Sequence, residues 1–141
     1  MIILDTNVVS ELMLTNPEPN VLDWFDRLSP TLYRLTAVSV FEIQYGIEKM
    51  DAGRKKDRLD ERFSQMLRRW FHGSRVIEFD SSAAMITAGL AATAKRNGHN
   101  LSRRDLAIAG TALQHGASVA THNVRDFPHD GLEVINPWQA D

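Results

Sequence analysis

The 141-residue chain contains no cysteine, which excludes disulfides, thiolate metal sites and cysteine nucleophiles together. Any metal site must therefore use oxygen or imidazole ligands. No apolar run is long enough to cross a bilayer, and the first residues lack the basic stretch and small-residue cleavage site of a secretory signal. The expected location is the cytoplasm, with no membrane attachment. Basic charge is not in excess either, since 16 Lys and Arg stand against 18 Asp and Glu, a net charge of -2, which argues against a dedicated nucleic-acid-binding module. Internal repeats, low-complexity stretches and linkers are also missing. Five histidines, His72, His99, His115, His122 and His129, are scattered without the paired helical spacing of a zinc hydrolase.

What is present is an apolar content of 43%, enough for a real core in one domain spanning residues 1–141. Periodicity and caps place strands near Ile2–Leu4, Tyr33–Thr36, Val76–Phe79, Ser118–Thr121 and Glu133–Ile135, with helices between them. Such alternation predicts an α/β fold with a mostly parallel sheet and helices on both faces. Pro19 suits the first turn of one helix; Gly98 and Gly116 suit the stops of two others, the first starting near Asp80 and the second covering Leu106–His115. From Arg54 to Trp70 the apolar residues Leu59, Phe63, Met66, Leu67 and Trp70 recur every three or four positions, predicting a charged helix with one narrow packing face. The run from Ala107 to Leu113 is mostly small, which permits close approach to a neighbour.

Four acids stand out by position: Asp5 directly after the first strand, Glu42, Asp105, and Asp126 after the fourth strand. Each has a structural explanation of its own. Asp5 and Asp126 read as turn residues, and Ser39-Val40-Phe41-Glu42 and Ser102-Arg103-Arg104-Asp105 both match the capping box, in which the acid bonds back to the start of its own helix. The set as a whole is harder to explain that way. In a parallel sheet the carboxyl ends of the strands share one edge, so these residues can converge into one acidic pocket. Converging carboxylates repel one another unless a cation is bound, and oxygen-rich ligation favours Mg²⁺ or Mn²⁺. Arg54, Lys55, Lys56 and Arg58, with Arg68 and Arg69, read as solvated helix faces; Arg103 and Arg104 suit a phosphate contact as well as they suit ordinary surface charge. His122 closes a predicted strand beside the pocket, with a non-catalytic role favoured.

The ordered motifs Leu4-Asp5-Thr6-Asn7-Val8, Ser39-Val40-Phe41-Glu42-Ile43 with Gly46, Arg104-Asp105 leading into Ile108-Ala109-Gly110-Thr111-Ala112, Ala120-Thr121-His122-Asn123 with Asp126-Phe127, and Val134-Ile135-Asn136-Pro137-Trp138 span the chain. Together they resemble the PIN-domain ribonucleases, and among these the VapC/FitB-like toxins of toxin–antitoxin pairs. The resemblance implies a three-layer α/β/α sandwich around a five-stranded central sheet. It implies a Mg²⁺-dependent endoribonuclease, with Mn²⁺ as substitute, in which Asp5, Glu42, Asp105 and Asp126 are the catalytic metal-pocket acids. Thr6, Thr121 and Asn123 would support them, and Arg103, Arg104 and Arg125 would contact RNA phosphates. Water activated by the metal would then attack the phosphodiester in line. The implied partners are an RNA substrate, a second copy in a homodimer and a cognate antitoxin, with DNA reached only through that antitoxin. Leu12, Met13, Leu14, Trp24 and Phe25 are available for such contacts, although core packing explains most of them more simply.

Rival readings remain at this level. A phosphatase or phosphotransfer domain would use Asp5 as nucleophile, but the haloacid-dehalogenase type needs an aspartate where Asn7 stands. A phospho-receiver module would need paired acids beside the first strand and a late lysine after a strand, and neither is found. A domain that keeps the fold without cleaving anything is the third.

Overall fold

Three apolar residues at the amino terminus form the middle of the sheet. In the computed structural model, which describes residues 1–128 and 131–139, β1 (Ile2–Leu4) lies between β2 (Tyr33–Thr36) and β4 (Ser118–Ala120). The edges are β3 (Val76–Ile77) and β5 (Val134–Ile135), giving the order β3-β2-β1-β4-β5. Every pairing among the described residues is parallel, with Ile2 opposite Tyr33 on one side and Leu4 opposite Ala120 on the other. The helices are α1 (Thr6–Leu12), α2 (Pro19–Asp26), α3 (Ala37–Glu48), α4 (Arg54–Arg69), α5 (Ser81–Arg96) and α6 (Arg103–Gln114). Short 3-10 turns cover Gly73–Arg75 and Val124–Asp126.

Alternation along β1 divides the core in two, because successive strand side chains point to opposite faces. Leu4 packs with Val8, Leu35, Ile43, Phe63 and Phe71 from α1, β2, α3, α4 and the segment after α4. Ile3 packs with Ile108, Ala109 and Ala112 of α6 and with Val119 and Phe127 on the opposite face. Helices therefore cover both sides of the sheet, the three-layer arrangement expected from the sequence. The narrow face of α4 is the expected one, with Phe63 and Met66 buried and Leu59, Leu67 and Trp70 packed at its margins. Met13 and Phe25 are buried, and Leu12 and Trp24 are packed against the same core, so of the early apolar residues only Leu14 is largely exposed.

The small residues of α6 have a specific use. A Cβ built on Gly110 would strike Thr87 Oγ1 and stand 3.1 Å from both Cβ and the backbone nitrogen of Thr87, so this glycine sets how closely α5 and α6 approach. Several boundaries differ from the sequence reading, among them β5, which starts at Val134 rather than Glu133, and α6, which covers Arg103–Gln114 rather than Leu106–His115. β3 stops at Ile77 and leaves Phe79 exposed beyond it, because the chain turns there to reach Asp80, whose side chain accepts from the Ala83 amide as the N-cap of α5. β4 stops at Ala120, and Thr121 sits one residue past it. The charged helix α4 ends at Arg69 rather than Trp70, which is its C-cap. His129 lies outside the described residues.

The strand order reverses direction at β1, since β2 lies on one side of it and β4 on the other. In open parallel sheets the crevice at the carboxyl ends of two such strands is where ligands bind. The residues that follow β1 and β4 are Asp5 and Thr121.

Candidate active site

Asp5 is placed by the sheet before its side chain does anything. Its amide donates to Ala120 O at 2.9 Å, extending the β1–β4 ladder by one residue, while the Asp5 carbonyl accepts from Val8 N as α1 begins. Asp5 is thus both the residue that extends a strand register and the N-cap of a helix, and as a residue it is only 4% exposed. Oδ1 accepts from Thr6 N at 2.7 Å, and Oδ2 accepts from Thr121 Oγ1 at 2.8 Å and Asn7 Nδ2 at 3.0 Å. Burial pushes the Asp5 carboxyl up from 3.8 to about 6; the hydrogen bonds from Thr121 and Thr6 oppose the rise, and the charges of Asp105 and Glu42 add to it.

Asn7 joins the two strand ends. Its Nδ2 also reaches Thr121 Oγ1 at 3.2 Å, and its Oδ1 accepts from His122 N at 3.2 Å. Thr121 Oγ1 in turn accepts from Asn123 N at 3.0 Å, so a buried threonine and one amide side chain lock the loop after β4 to Asp5.

Glu42 arrives from α3 and not from a helix start. The N-cap of α3 is Thr36, whose Oγ1 accepts from Ser39 N at 3.1 Å, so Ser39 belongs to the first turn and Glu42 lies further inside the helix. The capping-box explanation of Glu42 is therefore wrong: its carboxylate has no backbone amide to cap and points across the cleft. Thr6 Oγ1 donates to Glu42 Oε1 at 3.2 Å, and Arg104 Nη1 stands 3.2 Å from Glu42 Oε2. Thr6 Oγ1 also lies 3.1 Å from Ser39 Oγ, a fully buried hydroxyl that sequence reading had not singled out.

Asp105 comes from the first turn of α6, where the expected cap holds: Ser102 Oγ accepts from Asp105 N at 3.1 Å. Burial raises the Asp105 carboxyl above its usual range, the Ser102 hydrogen bond opposes this, and the charge of Asp126 raises it further. Asp5, Thr6, Glu42, Arg104, Asp105 and Asn123 line one open cleft of about 710 Å³. Asp126 does not line it. It is exposed on the 3-10 turn after Asn123 and, with Arg125, borders a neighbouring cavity of about 620 Å³, reaching the cleft through its charge on Asp105. Arg103 likewise faces a different, apolar hollow beside Phe79.

His122 and Trp138 complete the cleft wall. Their rings stack with centroids 4.2 Å apart and planes 10° from parallel. Asn7, Glu11, Ser39 and Trp138 are residues at the cleft that the sequence does not single out. Asn7 and Ser39 lie inside the ordered motifs of the chain, but nothing in a linear sequence says which hydroxyl or amide meets which acid.

The donor set fits a hard divalent cation in kind. Four carboxylates line one cleft, Asp5, Glu42, Asp105 and Glu11, the last of which accepts from Glu18 N at 3.1 Å; Asp5 is held protonated to an unusual pH by burial and by the charges of Asp105 and Glu42, and no soft ligand is among them. Among the described residues no three acidic or imidazole side chains are drawn together as a finished metal cage, and Glu42 is paired with Arg104.

Comparison with known proteins agrees with this geometry. Residues 2–129 match the PIN domain family model. The chain is 40% identical over 140 residues to a VapC ribonuclease of Sinorhizobium fredii, covering 99% of both chains, and 38% identical over 138 residues to the toxin FitB of Neisseria gonorrhoeae, covering 98% of this chain and 99% of that one. In structure it resembles the crystallised FitAcB complex of Neisseria gonorrhoeae with a TM-score of 0.90 at 36% identity, covering 99% of this chain and all of that one. It resembles FitAB bound to a DNA fragment with a TM-score of 0.91 at 36% identity, covering 100% and 98% of the two chains. With the sheet order, the acids of the cleft and these matches in agreement, the chain belongs to the PIN-domain family, in its VapC/FitB-like branch.

Proposed function

We propose that this protein is a divalent-metal-dependent endoribonuclease acting as the toxin of a toxin–antitoxin pair. The single observation that carries the reading is the buried carboxylate of Asp5 at the β1–β4 crevice, facing Glu42 and Asp105 across one cleft. An acidic cleft repels RNA, so a cation is needed both to neutralise the acids and to admit a phosphate. Mg²⁺, with Mn²⁺ as substitute, supplies charge neutralisation, Lewis acidity and water activation when bound. Asp5, Glu42 and Asp105 are the residues that would hold it. Asp126 serves as the fourth acid from a more distant position, through its field on Asp105, and Asn123 is a supporting polar group in the cleft itself.

The remaining groups act on these acids. Thr121 and Asn7 orient Asp5 Oδ2, and Thr6 bridges α1 to Glu42. The hydrogen bonds on Asp5 favour its charged form, which is the form a cation requires. Arg104 lines the cleft and is the arginine best placed to take a phosphate once Glu42 turns to the ion; Arg103 and Arg125 can guide the flanking backbone from outside it.

The antitoxin and a second copy are the proposed partners. FitB, a relative of this chain, is found in structures with FitA, and that pair is bound to a DNA fragment in one of them. A groove of about 330 Å³ between the end of α1 and α4, carrying Arg62, Arg69 and Trp70, shares Leu14 with the acidic cleft, so a chain laid in the groove would continue over the acids. Phe41 and Tyr45, whose rings stack 5.9 Å apart, and Phe79 and Met85 are exposed apolar residues available to a second copy, Met85 being 78% exposed.

The test is cleavage of end-labelled total RNA by purified protein in Mg²⁺, Mn²⁺ or EDTA, with Asp5→Asn alongside. Discrete products that need the metal and vanish in the variant are expected. Identical behaviour of the two proteins in both metals would remove the nuclease reading, and a phosphoaspartate trapped at Asp5 would favour a phosphotransfer domain instead.

A further inference from the structure

The stacked pair at the cleft wall has no part in the chemistry above, and its construction is specific. One face of the His122 imidazole lies against the Trp138 indole, with centroids 4.2 Å apart and planes 10° from parallel, yet His122 as a residue remains exposed. His122 also lines the cleft that contains Asp5, Glu42 and Asp105. The backbone of His122 is tied to Asp5, because His122 N donates to Asn7 Oδ1 while Asn7 Nδ2 donates to Asp5 Oδ2, and the stack on Trp138 sets the ring. The brace behind it is held as firmly. Trp138 N donates to Asn136 Oδ1 at 3.0 Å, Trp138 O accepts from Asn20 Nδ2 at 3.0 Å, and the indole packs on the core that contains Leu4 and Phe25. A flat ring, supported from behind and tied through one amide to the acid that would carry the metal, is a preorganised surface for another flat ring.

We propose that His122, backed by Trp138, is a stacking platform for one unpaired nucleobase of the RNA substrate next to the cleaved phosphate. The inference rests on the ribonuclease reading and adds to it where the strand lies. Single-stranded RNA is recognised by splayed bases stacked on aromatic side chains, histidine among them, and such stacking tolerates any base because every base has a π face. The platform accordingly sets the position of the strand and not its sequence. The proton chemistry of the imidazole is not used, so the role of His122 is separable from acid–base catalysis by a ring that stacks but cannot titrate.

The experiment is steady-state cleavage, in Mg²⁺, of a short single-stranded RNA carrying a mapped cleavage site, by wild type, His122→Ala and His122→Phe. A matching set of RNAs has one base at a time replaced by an abasic residue, and thermal melts of each protein control for folding. Loss of a base stack corresponds to about a 5- to 150-fold change; KM for His122→Ala is expected to rise by that factor with kcat little changed, and His122→Phe to stay close to wild type. One abasic position should weaken wild type by the same factor and leave His122→Ala unaffected. The platform is overturned if His122→Ala matches wild type, if His122→Phe is as impaired as His122→Ala, or if no abasic position couples to residue 122. Should wild type cut none of the RNAs, the ribonuclease reading itself fails, and that outcome is seen before any His122 variant is compared.

Discussion

Arg104 Nη1 stands 3.2 Å from Glu42 Oε2, so the residue directly before one site acid neutralises another site acid on a different helix. The pair is lopsided in exposure, 61% for the arginine side chain and 16% for the glutamate. Solvated pairs of this kind contribute about 0–1 kcal/mol, weak enough for a divalent ion to displace the guanidinium. Removing it with Arg104→Ala is expected to tighten Mn²⁺ binding by about 2- to 5-fold in calorimetry, the competition having been lifted. RNA binding by the same variant should weaken and its salt dependence fall by about one phosphate contact. If neither quantity moves, Arg104 is surface charge only.

Asp5 makes stability depend on pH in a definite direction. Its carboxyl is pushed up to about 6 in the folded protein against 3.8 ordinarily, so the folded state holds a proton that the unfolded chain has released. The stability linked to that proton is fully present below about pH 3.8 and is lost as pH rises through about 6, up to about 3 kcal/mol in all. Urea melts of Asp5→Asn and wild type should therefore diverge between pH 4 and 6, in favour of the variant, and run parallel above. Adding Mg²⁺ at pH 7 should stabilise wild type and not the variant. A difference independent of pH would refute the account of Asp5.

Thr121 lowers what burial raises. In Thr121→Val, Asp5 loses a donor, while Asn7 Nδ2 and Asn123 N lose an acceptor, at about 0.5–1.5 kcal/mol for each lost hydrogen bond. The acidic limb of the cleavage profile should shift to higher pH, since Asp5 then ionises later. Thr121→Ser keeps the hydroxyl and should keep the wild-type profile; an equal shift in both variants would argue for lost packing in place of a lost hydrogen bond.

Gly110 tests the packing of the second layer. The Cβ of Gly110→Ala would meet Thr87 at its hydroxyl, its Cβ and its backbone nitrogen, so moving the Thr87 side chain cannot clear the contact. Overpacking of this kind costs about 1–3 kcal/mol. Melting should show that loss in the single variant, with only partial recovery in Gly110→Ala/Thr87→Ala, whose backbone contact persists. Full recovery would place the conflict at the hydroxyl alone.

Local signals were enough for much of this protein. The apolar triplet Ile2-Ile3-Leu4 followed by an aspartate determined a buried strand ending in a carboxylate, the three-to-four spacing from Leu59 to Trp70 determined the packing face of α4, and Ser102 capped α6 as its sequence requires. These are short-range effects, set by side-chain period and by which residues can satisfy the first amides of a helix. The same local reading misplaced Glu42, because Thr36 and Ser39 both carry hydroxyls suited to capping, and only the exit of β2 into α3 decided that Thr36 takes the role. The tertiary structure alone decided that Asn7 joins Asp5 to the β4 loop, that Arg104 turns to Glu42, that Asp126 stays outside the cleft, and that His122 lies on Trp138. Each of those contacts joins residues from different elements. Their geometry comes from strand register, helix direction and the reversal of strand order at β1, none of which any local stretch of sequence specifies.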